Sequence, residues 1–168
     1  MNIISIDQST TTMGYAIYED KKLIQYGHFC PKDSHNADKR IYEVNNFLQK
    51  MIDTVPDIEV ILLEDIQLQN SINGSRKHFS NQNNNVATFK TLAKLLGVLS
   101  NTCLDNDIKY EVVSPSHWKS IMGIKSLYRR DQKKETMELV DKLFGENALE
   151  DEADAICIGA SYIKEKAM

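Results

Sequence analysis

The hydrophobic pattern leaves a strand period for a helical one near residue 30, and that change restricts the folds open to the chain more than any other feature. Asn2 to Asp7 is rich in isoleucine and runs into the polar cluster Gln8-Ser9-Thr10-Thr11-Thr12. A second apolar stretch, Met13 to Tyr18, and a third, Leu23 to Phe29, flank the turn Asp20-Lys21-Lys22. Together they predict three strands in an antiparallel meander. Beyond them Ile41, Val44, Phe47, Leu48, Met51, Ile52 and Val55 recur at helical spacing until Pro56 closes the segment. Val60-Ile61-Leu62-Leu63 then reads as a buried strand that delivers Glu64 at its end.

The second half continues the alternation. Val86, Phe89, Leu92, Ala93, Leu96, Leu99 and Cys103 predict an amphipathic helix, and Tyr110 to Val113 a short strand. Three more helices follow, one around Trp118, one from about Asp131 to Phe144 and one from about Asp151 to Lys164. Between Asn70 and Asn85 six asparagines, Gly74 and several serines predict an irregular loop and a candidate flap, because such side chains bond to their own backbone. A meander followed by alternating helices and strands implies a mixed sheet with helices on both faces, an α/β fold. A length of 168 residues predicts that the whole, 1–168, is one domain.

Composition excludes some classes. With 42% hydrophobic and 26% charged residues the chain carries enough apolar surface to fold, and no apolar run approaches the ~20 residues of a membrane span. The N-terminal segment lacks the layout of a signal peptide, so a cytoplasmic location is expected. Cys30, Cys103 and Cys157 lie far apart and form no CxxC pair, which fits reduced thiols. The formal net charge of -4 hides a segregation: Ile66 to Lys134 holds 11 Lys and Arg against four acids, and no acid occurs between Asp65 and Asp105. Because phosphate contacts depend on local charge, a basic face on an acidic protein suits a polyanion.

The chemistry lies in four carboxylates. Asp7 ends the first strand and Glu64 the fourth, while Asp151 and Asp154 are three apart on one face of the opening turn of the last helix. Strand ends of such sheets face a common crevice where ligands bind. If the last helix packs across it, four carboxylates converge, and that much negative charge requires bound protons or cations. Hard oxygen donors select Mg²⁺ or Mn²⁺, and two such ions per active site are the apparatus of phosphodiester hydrolysis. Read singly, Asp151 also suits a helix cap and Glu64 a mere strand end.

At these residues the chain resembles a known family. Ile6-Asp7-Gln8-Ser9 through Gly14-Tyr15-Ala16-Ile17, Leu63-Glu64-Asp65, Pro115 through Lys119 with Gly123, and Asp151-Glu152-Ala153-Asp154-Ala155 are together similar to the RuvC family of Holliday junction resolvases, particularly its divergent phage-borne members. The resemblance implies an RNase H-like fold and a homodimer that nicks branched DNA at four-way junctions; three-way or flap DNA are further candidate substrates, and a phage-encoded chain would act in the bacterial host cytoplasm. It implies metal ligation by Asp7, Glu64, Asp151 and Asp154, with Asp7 bridging both ions, and DNA contact by Lys119 and Lys133, the latter also serving catalysis. From the basic segment itself Lys125, Arg129, Arg130 and Lys134 join the expected phosphate contacts, and Arg76, Lys77 and Phe79 those of the Asn-rich segment, Phe79 by stacking on an unpaired base. Where the family turn is typically Pro-Gly this chain has Gln8-Ser9, and Gln67 stands where many relatives carry an aromatic residue.

Three other readings compete. A branched-DNA binder without catalysis would keep the fold and the basic segment. An RNase H-type enzyme would cut RNA in hybrids with the same acids. Finally, Ile6-Asp7-Gln8-Ser9-Thr10-Thr11 resembles the first phosphate motif of actin-like ATPases and sugar kinases, but the chain has no GxxxxGK[ST] or GxGxxG turn and supplies one domain where those proteins need two.

Overall fold

A computed structural model describes residues 1–33, 35–67 and 79–167, with residues 79–85 described through their backbone alone. The described residues form five strands and five helices: β1 (Asn2–Asp7), β2 (Met13–Glu19), β3 (Lys22–Phe29), α1 (Ala37–Thr54), β4 (Ile58–Glu64), α2 (Phe79–Asp105), β5 (Tyr110–Val113), α3 (Pro115–Met122), α4 (Arg129–Phe144) and α5 (Glu150–Lys166). The strands form one sheet in the order β3-β2-β1-β4-β5. β1, β2 and β3 pair antiparallel, whereas β4 pairs parallel to β1 and β5 parallel to β4. This is the mixed five-stranded sheet that the sequence predicts, an antiparallel meander followed by parallel strands.

Side-chain alternation sorts each strand between two cores. On one face Ile3, Ala16, Tyr18, Val60 and Leu62 pack under Trp118 of α3, Val140 of α4 and the apolar side of α5. On the other, Ile4, Ile6, Ile17, Ile61 and Leu63 meet Ile41, Val44, Leu48 and Met51 of α1 and Leu95, Leu99 and Cys103 of α2. α5 is pinned most firmly, because the Ser5 hydroxyl donates to the Ala155 carbonyl at 2.7 Å and the Tyr18 hydroxyl to the Ile156 carbonyl at 2.6 Å. A Cβ on Gly159 would come within 2.4 Å of the Tyr18 ring, so this helix lies closer to the sheet than a side chain there would permit.

One expectation is corrected. The predicted loop of Asn70 to Asn85 is helical from Phe79 onward, because α2 starts seven residues before Val86. Asparagine costs a helix only about 0.7 kcal/mol per residue, and extending an existing helix adds one hydrogen bond per residue fixed. The other helices begin within a few residues of their predicted starts. α1 is capped by Asn36, whose side chain accepts from the backbone N–H groups of Asp38 and Lys39. No described helix is long and apolar enough to cross a membrane.

Candidate active site

Strand register carries Asp7 and Glu64 to the same place. Ile6 lies beside Leu63 across the parallel β1–β4 ladder, so the next residues, Asp7 and Glu64, end neighbouring strands at one level. By alternation both side chains share the α5 face with Ser5 and Leu62. The same level continues outward, since Asp7 is opposite Gly14 in β2 and Gly14 opposite His28 in β3. Gly14 is the point of closest approach: a Cβ there would lie 1.9 Å from the backbone oxygen of Asp151. Only hydrogen fits, and the opening turn of α5 therefore rests directly on the strand end that carries Asp7. Asp151 and Asp154 then line the same open cleft of about 810 Å³ as Asp7 and Glu64.

The crowding shows in the acids' proton affinity. Burial is the largest cause of the raised pKa of Asp7, followed by the charges of Glu64 and Asp154, a hydrogen bond with Glu64 and the charge of Asp151. Asp154 is pushed up to about 7, again by burial first and then by the charge of Glu64, with Lys119 and Lys133 pulling the other way. Asp151 is raised by burial and by Glu150, and Lys133 opposes the shift. These side chains compete for a neutralising partner, and the two lysines supply part of it from across the cleft.

Of the residues expected to contact DNA, Lys119, Arg129 and Lys133 line this cleft. The Lys119 ammonium lies 5.1 Å from the centre of the Trp118 ring and donates to Gln132 Oε1 at 3.2 Å. Lys133 donates to the Glu150 carboxylate. Lys125, Arg130 and Lys134 are exposed but do not line the cleft, and Lys134 faces Glu138 one helical turn on, at 3.6 Å. Arg76 and Lys77 lie outside the described residues, as does the side chain of Phe79.

Three side chains build the site without having been singled out for it from the sequence. Trp118, wholly buried, donates its indole N–H to Glu64 Oε1 at 2.8 Å and so orients that carboxylate. Gln8 donates to the Glu64 backbone oxygen at 2.7 Å and ties β1 to β4 beyond their last paired residues. His28 Nδ1 lies 2.7 Å from Glu152 Oε1, while the other oxygen of that carboxylate accepts the Leu149 N–H at 2.8 Å. Glu152 thus caps α5, which leaves Asp151 free of the capping role its sequence position allowed. His28 could have been found only from strand register, since nothing in its local sequence links it to residue 152.

The donor set fits a hard divalent cation. Four carboxylates line one cleft, and Gln8 Oε1 beside them is buried without a hydrogen-bond partner. Among the described residues no group of three His, Cys, Asp or Glu side chains is gathered tightly enough to chelate an ion as it stands.

The architecture matches known proteins at the level of fold. Thermus thermophilus RuvC in complex with a Holliday junction substrate aligns with a TM-score of 0.69 and 16% identity, covering 100% of this chain and 96% of that one. A second structure of Thermus thermophilus RuvC aligns with the same TM-score and coverage at 14% identity. A scan of protein-family models finds no match, and neither does a search of curated proteins. The chain therefore has a RuvC-like fold, with its four acids at the ends of the strands and at the head of the last helix.

Proposed function

We propose that the protein is a divalent-metal-dependent endonuclease that resolves branched DNA, four-way junctions foremost, by paired nicks. The observation that carries this reading is the cleft itself, in which Asp7, Glu64, Asp151 and Asp154 face Lys119, Arg129 and Lys133 on a RuvC-like sheet. Asp7, Glu64, Asp151 and Asp154 would hold two Mg²⁺ or Mn²⁺ ions. Ions so held supply Lewis-acid charge at the scissile phosphate and lower the pKa of water. Trp118 fixes the rotamer of Glu64, and Gln8 fixes the strand end behind it. Lys119, Arg129 and Lys133 grip the flanking phosphates, with Lys125, Arg130 and Lys134 extending the contact outward. Symmetric nicking of a four-way junction calls for two such clefts, and so for a homodimer whose two-fold axis coincides with that of the DNA.

The test presents labelled four-way, three-way, flap and linear DNA and an RNA–DNA hybrid, with Mg²⁺, Mn²⁺ or EDTA. Ligatable nicks near the branch point that need the metal are expected. Asp7→Asn should lower cleavage on the order of 10³-fold while keeping or tightening DNA binding, since it removes negative charge. Cleavage that survives in that variant or in EDTA refutes the proposal. Tight binding of branched DNA without cleavage would make the protein an adaptor, and preference for the hybrid an RNase H-type enzyme.

A further inference from the structure

The segment between α3 and α4 presents two large apolar side chains to solvent in succession. Leu127 is 90% exposed and Tyr128 74% exposed, Leu127 being the most exposed large hydrophobic residue described. Single exposed apolar residues are ordinary, but an adjacent pair beside a binding cleft is not.

The backbone beneath the pair is firmly held. The Glu135 carboxylate accepts the N–H groups of Lys125 at 3.1 Å and Ser126 at 3.0 Å. Gln132 donates its side-chain amide to the Ser126 carbonyl at 2.8 Å, and its backbone N–H to the Tyr128 carbonyl at 2.9 Å. α4 therefore fastens the segment on both sides of Leu127 while leaving the two side chains uncovered. Such preorganisation is costly to build for side chains with nothing to meet.

Charge identifies what they meet. Lys125, Arg129 and Arg130 flank the pair, all exposed, and Leu127 and Arg129 line the cleft that holds the four carboxylates. An apolar protein partner is poorly served by three adjacent cations, whereas a nucleic-acid strand offers phosphates to the cations and a base face to the ring. We infer that Leu127 and Tyr128 form a stacking platform for an unpaired base of the DNA strand bound in the cleft. The platform gives the protein a means of telling branched or opened DNA from continuous duplex, whose bases already stack on one another. The inference rests on the nuclease reading and names the feature of its substrate that this site would recognise.

The experiment measures equilibrium binding and cleavage of a four-way junction and a linear duplex by the wild type, Y128A, Y128F and L127A. Y128A should lose about ten-fold in affinity for the junction, within the range of one lost base stack, and almost nothing for linear duplex. Y128F retains the ring and should restore the junction affinity. Abasic nucleotides scanned through the branch point should weaken the wild type at one position and leave Y128A indifferent there, since the two changes remove the same contact. If the wild type binds and cuts junctions but Y128A and L127A do so equally well, the platform is refuted and the nuclease reading stands. If the wild type neither binds nor cuts DNA, both fall. A change of oligomeric state in L127A or Y128A without a change in DNA selectivity would assign the pair to a protein interface and refute the platform.

Discussion

The floor and the rim of the cleft carry opposite charge, and they are built by different means. On the floor each carboxylate stands on an element locked into the sheet: Asp7 and Glu64 end paired strands, and Asp151 and Asp154 ride on a helix that two side-chain hydrogen bonds and two glycines hold against β1 and β2. On the rim, Lys119 leans on Gln132 and Lys133 on Glu150, pairings between half-buried or exposed side chains that cost little to exchange. Bond cleavage demands reacting atoms held within fractions of an ångström, so backbone packing must set the floor. Phosphate binding is long-ranged and additive, so on the proposed reading cations in exchangeable pairings suffice for the rim.

Gly14→Ala is the sharpest way to break that contrast. The added methyl collides with the Asp151 carbonyl, which belongs to backbone and cannot swing aside. α5 must lift from β2, with a loss of about 3 kcal/mol in stability by denaturant unfolding and about a hundred-fold in single-turnover cleavage. Lys133→Ala on the rim should change stability by no more than about 1 kcal/mol. A stable, active Gly14→Ala protein would show that the floor tolerates displacement as the rim does.

A smaller effect separates the two by pH and metal. The folded-state pKa of Asp154 is raised to about 7, chiefly by burial and then by the charge of Glu64, and that of Asp7 is raised in the same direction. A carboxyl that binds its proton more tightly when folded stabilises the protein fully below its unfolded pKa, and that contribution is lost as pH rises through the folded value. The metal-free protein should therefore melt at lower temperature as pH goes from 5 to 8, relative to Asp154→Asn. Mg²⁺ at a hundred times its dissociation constant should return about 2.7 kcal/mol at pH 8, and less at pH 5, where protons occupy the ligands. Thermal melts with and without the metal check both halves. A wild type whose melting does not respond to Mg²⁺ at pH 8 would refute the assignment of the floor as its ligand.

The same division governs what could be read from the sequence. Asp7 and Glu64 were legible because a strand end is announced by its own apolar run, and the (i, i+3) spacing of Asp151 and Asp154 puts them together on any helix. The five strands were legible for the same local reason. Partners that meet only through tertiary register were not: Trp118 with Glu64, His28 with Glu152, and Glu135 beneath the segment before α4 are separated by 54, 124 and 9 to 10 positions. The start of α2 was missed because asparagine favours turns in isolation, a preference that packing against α1 and the sheet outweighs further along the same helix.

The mildest perturbation tests whether the rim is as exchangeable as its pairings suggest. In the free protein Lys133 is bound to Glu150, a half-exposed pair at the mouth of the cleft. To reach a phosphate the lysine must leave that carboxylate, and the carboxylate then repels the incoming strand. Glu150→Gln removes both costs, which for such a pair amount to at most about 1 kcal/mol, so junction affinity should rise two- to three-fold, or about 0.5 kcal/mol at 1.4 kcal/mol per decade. The gain should be greatest at low salt and fade as salt screens it. Lys133→Ala should weaken binding and lower the slope of log affinity against log salt by about one. The decisive comparison is the double variant. If Glu150 acts by holding Lys133 back, Glu150→Gln brings no gain once Lys133 is gone, whereas an equal gain in both backgrounds would mean that Glu150 merely repels DNA and that the pair plays no part in delivering the lysine.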